Sequence, residues 1–174
     1  TRAERDLNLK AARMEGEIQS KLDQLEATRT ARLAELDQQA EVQLQSLTER
    51  EQAEGDEVVA LSQRLQSALE KLTGKPATET VTLPWLPADQ PIVAAGDAVN
   101  RDTVRSLEEA MRRRLDDIQE TIKREKENVG HLTGARRDLI RREIEQAIDE
   151  QRQGIETEKS RLRTSMNDSL EELK

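Results

Sequence analysis

The chain has 174 residues and a net charge of −8, with 37% charged and 34% hydrophobic side chains, no Phe, Tyr or Cys, and a single aromatic residue, Trp85. Without cysteine there are no disulfides, no thiol catalysis and no cysteine zinc site. The acidic balance lacks the basic surface that phosphate neutralisation demands of a dedicated nucleic-acid binder. Compact cores draw much of their burial from aromatic rings, so an ordinary globular domain is a poor fit as well.

High charge with few aromatics reads either as disorder or as long helices and coiled coils, and periodicity decides for the second. All four prolines, Pro76, Pro84, Pro87 and Pro91, lie in one stretch. Proline is expelled from helix interiors, which divides the chain into a first helical arm (1–73), a connecting segment (74–99) and a second helical arm (100–174).

In the first arm the pairs Leu22/Leu25, Leu33/Leu36 and Leu44/Leu47 recur every eleven residues. The column Met14, Leu25, Leu36, Leu47, Val58, Leu69 is apolar at every position, and its neighbour Ala11, Leu22, Leu33, Leu44 stays apolar until Gly55. A seven-residue template from Leu22 lands on Arg29 and Gln43 and loses. From Val58 onward, Leu61, Leu65, Ala68 and Leu72 fit a heptad instead. Leu72-Thr73-Gly74-Lys75-Pro76 ends the arm, with glycine placed for a left-handed cap and proline just beyond it.

The connecting segment breaks the pattern. Glu79-Thr80-Val81-Thr82-Leu83 alternates like a strand, and Pro91-Ile92-Val93-Ala94-Ala95 reads as a second, so a short β-hairpin is one expectation here. Between them Leu83-Pro84-Trp85-Leu86-Pro87 is stiff and extended, because residues before proline avoid the α region. So short a segment cannot build an independent core and must lean on the helix ends, on another copy or on a partner. Trp85 and Leu86 either plug the end of the two-helix seam or form an exposed anchor. Trp85, Leu86, Leu83 and Ile92 are the candidate binding residues.

The second arm opens Asn100-Arg101-Asp102-Thr103, where Asn100 or Asp102 caps the first turn. Its columns are Leu107, Ile118, Val129, Ile140, Gln151, Leu162, Leu173 and Met111, Ile122, Thr133, Ile144, Ile155, Met166. Eleven residues over three turns give about 3.67 per turn, a stripe nearly parallel to the helix axis with slight right-handed supercoiling. In period alone this resembles right-handed stalks and lipid-surface helices. Arg29, Glu51, Lys126, Arg137 and Lys159 occupy core columns, where long side chains reach outward to water or set register or bind another chain. Glycines at 130 and 134 mark a weak point or bend, each costing about 1 kcal/mol relative to alanine.

No catalytic, cofactor-binding or metal-binding constellation emerges. His131 is the only histidine, and one imidazole without Cys or a paired Ser makes neither a metal site nor a triad. The arginine clusters 112–114, 136–137 and 141–142 lie in an arm with 17 basic and 18 acidic residues, so they read as salt-bridged faces rather than an anionic-lipid or nucleic-acid surface. Asn167-Asp168-Ser169 matches the glycosylation sequon, a frequent chance match. No apolar run approaches the roughly 20 residues of a membrane span. The chain starts at Thr1 and reads as a segment of a longer protein, so absent targeting signals say nothing of the parent and localisation stays unassigned.

The expected fold is all-α, a long antiparallel two-helix coiled-coil hairpin with eleven-residue repeats and a small irregular or β-like tip. The expected function is non-catalytic: a structural spacer and docking arm of a larger assembly. Its partners are proteins, a second copy included, with membrane contact only through the parent protein and no nucleic acid, small-molecule substrate or cofactor. The alternative is an amphipathic protein lying on a lipid surface. Against it, the polar faces mix acidic with basic residues and bulky aromatic insertion residues are lacking.

Overall fold

The two proline-free stretches are rich in Ala, Leu, Glu, Gln, Lys and Arg, the strongest helix formers, and both become helices. The computed structural model describes residues 2–171, apart from the side chains of Ala3, Ser169 and Leu170. The Leu173 position of the second-arm column therefore lies outside the described residues, as does the Ser169 side chain of the sequon. Helix α1 spans Arg2–Lys71 and α2 spans Arg101–Glu171. They are packed against each other, 83% of the structure is helical, and there is no strand among the described residues. Two compact units are distinguishable: Thr1–Glu41 with His131–Lys174, and Val42–Gly130.

In the first unit, Leu36, Ile140, Ile144 and Ile148 form a buried cluster on which Leu22, Leu25 and Leu33 pack. The shielded positions of α2 here step by three and four residues, through Arg137, Ile140, Ile144, Ile148, Gln151 and Ile155. This is the spacing that puts side chains on one helical face. Three ion pairs cross between the helices: Arg32 to Glu143 at 3.0 Å, Lys159 to Glu15 at 3.0 Å, and Arg137 to Asp37. Ascending positions on α1 meet descending positions on α2, so the two stretches run antiparallel. The polar residues Arg137 and Lys159 of the core columns thus reach outward into partly exposed cross-helix ion pairs. Exposed apolar residues remain at Leu9, Leu132 and Leu139, and His131 is exposed on its helix.

The second unit is a complete helix–connector–helix turn with two buried clusters. Val58, Ile118 and Ile122 form one, flanked by Leu47, Met111 and Leu115. Leu69, Ala77, Leu83, Val93, Val99, Leu107 and Ala110 form the other, which draws on both helices and the connector. Lys126 donates to Glu51 at 3.1 Å, joining two more of the polar column positions, and Arg50 reaches Glu125 at 2.7 Å. Leu44 departs from its column: it is 37% exposed, and Val42 beside it is 61% exposed. Helix α2 runs unbroken through Gly130 and Gly134, and a β-carbon added at either would meet nothing within 4 Å. No contact requires these glycines.

The helix ends are set locally. At the end of α1, the Leu72 and Thr73 amides donate to Leu69 and Glu70 carbonyls, the tightened last turn common at helix termini. Gly74 is left-handed at φ +79°, but its N–H donates to the Val99 carbonyl at 2.9 Å rather than back to α1. The glycine therefore ties the connector's exit to its entry. At the start of α2, Asn100 Oδ1 accepts from the Asp102 and Thr103 amides, and Thr103 Oγ1 accepts from the Asn100 amide. This reciprocal pair is a capping box, and it makes Asn100 the cap rather than Asp102.

The connector corrects the strand expectation. The two alternating runs, Glu79–Leu83 and Pro91–Ala95, meet only at a single antiparallel bridge, Val81 with Val93, and a second lone bridge joins Pro76 to Ala98. Proline has no N–H for a ladder, and three of the four prolines lie between or within the runs. The Thr80 hydroxyl also captures the Ala95 amide at 3.0 Å, a donor that a longer ladder would have used. Asp97 N–H to Ala94 O closes a turn around Gly96, which sits at φ +88°.

Candidate docking site in the connecting segment

The proline frame shapes the site first. Leu86 N–H donates to Leu83 O at 3.1 Å and Gln90 N–H to Pro87 O at 2.9 Å, so Leu83–Gln90 is two successive turns. Proline pre-sets the backbone for such turns. The four candidate residues separate within this frame. Leu83 is 2% exposed and belongs to the interior, packed in the cluster that contains Leu69, Val99 and Leu107. Trp85, Leu86 and Ile92 are half-buried and lie over that cluster, so each keeps part of its surface in water.

Trp85 occupies a special place because it packs against both clusters of this unit. Its indole Nε1 is nevertheless buried without an acceptor among the described residues, as is the Ser62 hydroxyl. Leaving a buried donor unpaired costs about 1–3 kcal/mol. The ring's apolar contacts hold it in place, while its polar edge is unsatisfied.

Beside the ring lies a groove of about 470 Å³, lined by Glu54, Glu57, Val58, Leu61, Pro84, Trp85, Arg114 and Ile118. Val58 and Ile118 are 5% and 3% exposed and form its apolar depth. The charged rim is divided between the helices. Glu54 is held by Arg50 at 3.3 Å, and Arg50 is itself stabilised as a cation by its hydrogen bond to Glu125, its pKa lying above the ordinary arginine value. Glu57 is exposed and Arg114 half-buried.

The sequence pointed to the connector residues and missed the helical walls. Val58 was legible as a column position, but Glu57 and Arg114 carry no local signal that separates them from other helix-face charges. Of the arginine cluster 112–114, Arg112 and Arg113 are exposed and only Arg114 turns to the groove. Among the described residues there is no group of three or more His, Cys, Asp or Glu side chains arranged to hold a metal ion. No helix there is long and apolar enough to cross a membrane. Compared with known proteins, the chain matches no family model, no curated protein and no solved structure.

Proposed function

We propose that this chain is a non-catalytic coiled-coil arm of a larger protein, serving as a structural spacer and protein-docking element with its binding site on the connecting segment. The observation that carries this reading is where the apolar surface goes. Leu44 apart, the described stripe residues are turned on each other in both units, while Trp85, Leu86 and Ile92 keep partial exposure on the connector and Trp85 borders a groove. Tryptophan is among the residues that most often anchor interfaces, and Trp85 is the candidate anchor here. Antiparallel packing of the stretches around Glu15 and Lys159 suits an arm carried on a longer chain. The eleven-residue period belongs to the same reading, with shallow crossing and little left-handed supercoil expected between residues 11 and 47.

A photo-crosslinking residue at Leu86 or Ile92, introduced in cells of the source organism, tests the docking role. Discrete protein adducts are expected at these positions and not at the exposed helix position Glu41. Equal labelling at all three positions overturns the docking role. Anionic vesicles test the spacer role, since helices already covered by each other gain no helicity on lipid. A coil-to-helix transition on vesicles would establish the lipid-surface alternative instead.

A further inference from the structure

We propose that the groove beside Trp85 takes an extended peptide segment in which a lysine or arginine adjoins an aliphatic residue. This rests on the docking reading and adds to it the chemistry of the partner. The groove's depth is apolar, made by Val58, Ile118 and the Pro84–Trp85 edge, and it receives the aliphatic side chain. Its volume of about 470 Å³ lies in the lower part of the roughly 300–1,000 Å³ range of ligand clefts. That accommodates a strip of extended chain rather than a helix about 10 Å across.

The charges set the sign of the partner. On the α1 wall Glu57 makes no ion pair among the described residues, and Trp85 lines the same groove. A carboxylate and an indole face both attract a cation, and tryptophan is the best aromatic for the purpose. The net charge of −8 favours a basic partner at longer range. Arg114 stands on the α2 wall, where its donors suit the carbonyl groups of an extended backbone. The buried, unpaired Nε1 of Trp85 supplies a further reason for binding. It is shielded in the free chain, so it contributes only if the ring turns on docking and meets a peptide carbonyl.

Trp85 is the one tryptophan, which makes its fluorescence a direct readout. The probes are a capped pentapeptide with a central lysine between leucines and the same peptide with glutamate at its centre. The lysine peptide is expected to shift the Trp85 emission saturably and to bind at least tenfold more tightly than the glutamate peptide. Glu57→Lys is expected to weaken it at least tenfold with an unchanged circular dichroism spectrum, while Glu41→Lys leaves it as it was. Equal or tighter binding of the glutamate peptide overturns the proposal in favour of an acidic partner held by Arg114. Insensitivity to Glu57→Lys, or no response to either peptide, overturns it as well. An emission shift with protein concentration alone assigns the groove to a second copy and likewise overturns it. Crosslinked adducts at Leu86 or Ile92 without preference for the lysine peptide would leave the docking reading standing and remove this one.

Discussion

The Val42–Gly130 unit and the Thr1–Glu41/His131–Lys174 unit are built from the same two helices with the same kind of apolar stripe, yet they bury it to different depths. In the first, Leu69 and Leu107 are 1% exposed, Val99 is 0% and Leu83 is 2%. In the second, the deepest residue of the cluster is Ile144 at 5%, followed by Leu36 at 7%, Ile148 at 8% and Ile140 at 9%. Two helices lying side by side cover each other along one seam and leave the flanks of that seam open to water. The connector adds a further layer over Leu69 and Leu107, and that layer closes the core. Burial of apolar area is the dominant stabilising term, so stability should be concentrated where the connector lies.

The most forceful way to break this comparison is to hollow each core. Leu107→Ala should cost about 2–5 kcal/mol, the range for deleting a fully buried leucine side chain. Leu36→Ala should fall toward the low end of that range, because Leu36 is 7% exposed and its cluster is covered by the two helices alone. Urea unfolding followed by circular dichroism measures both, and equal losses would remove the distinction. Native-state hydrogen exchange sharpens the same point. Amides of residues 58–69 and 107–122 should exchange more slowly than those of 14–36 and 140–155.

Trp85→Ala should come next, at roughly 2 kcal/mol. That is below the 3–5 kcal/mol of a fully buried aromatic, because the ring is half-buried and its unpaired N–H is removed with it. A loss near zero would make Trp85 a pure surface anchor, and a loss above about 4 kcal/mol would make it a core plug. Asn100→Ala should cost about 1 kcal/mol, the usual value for a cap, since it leaves the Asp102 and Thr103 amides unpaired. The smallest effect should come from the cross-helix ion pairs. Lys126→Ala should cost under about 1 kcal/mol, because both side chains of its pair are about one-third exposed and such pairs are worth roughly 0–1 kcal/mol. Lys159→Ala, whose partner Glu15 is 59% exposed, should cost less still, and both losses should shrink in high salt.

The helices and their interruption were legible in the chain because their causes are local. Four prolines within sixteen positions forbid a helix wherever they fall, and the long runs on either side contain none. Leu36, Ile140 and Ile144 could be named as inward residues because side chains three and four apart share a face whatever they pack against. Leu44 shows where that logic stops: it satisfies the spacing and is 37% exposed, since a face is only a direction until another surface covers it. The two alternating runs in the connector stopped short for a related reason. Alternation describes which way side chains point, whereas a strand needs donors on its partner, and proline and the Thr80 hydroxyl divert them.

By itself the sequence determined that this protein is helical, where its helices are interrupted and which apolar positions share a helix face. All of these follow from backbone sterics and helical period over a few residues. Tertiary structure decided what each stripe meets. It matched Lys126 to Glu51 across a sequence separation of 75 residues, drew Leu83 inside while leaving Leu86 and Ile92 half-buried, and brought Glu57, Trp85 and Arg114 around one groove. Those outcomes depend on surfaces contributed by distant parts of the chain, and burial and ion pairing acquire their value only when such surfaces close on one another.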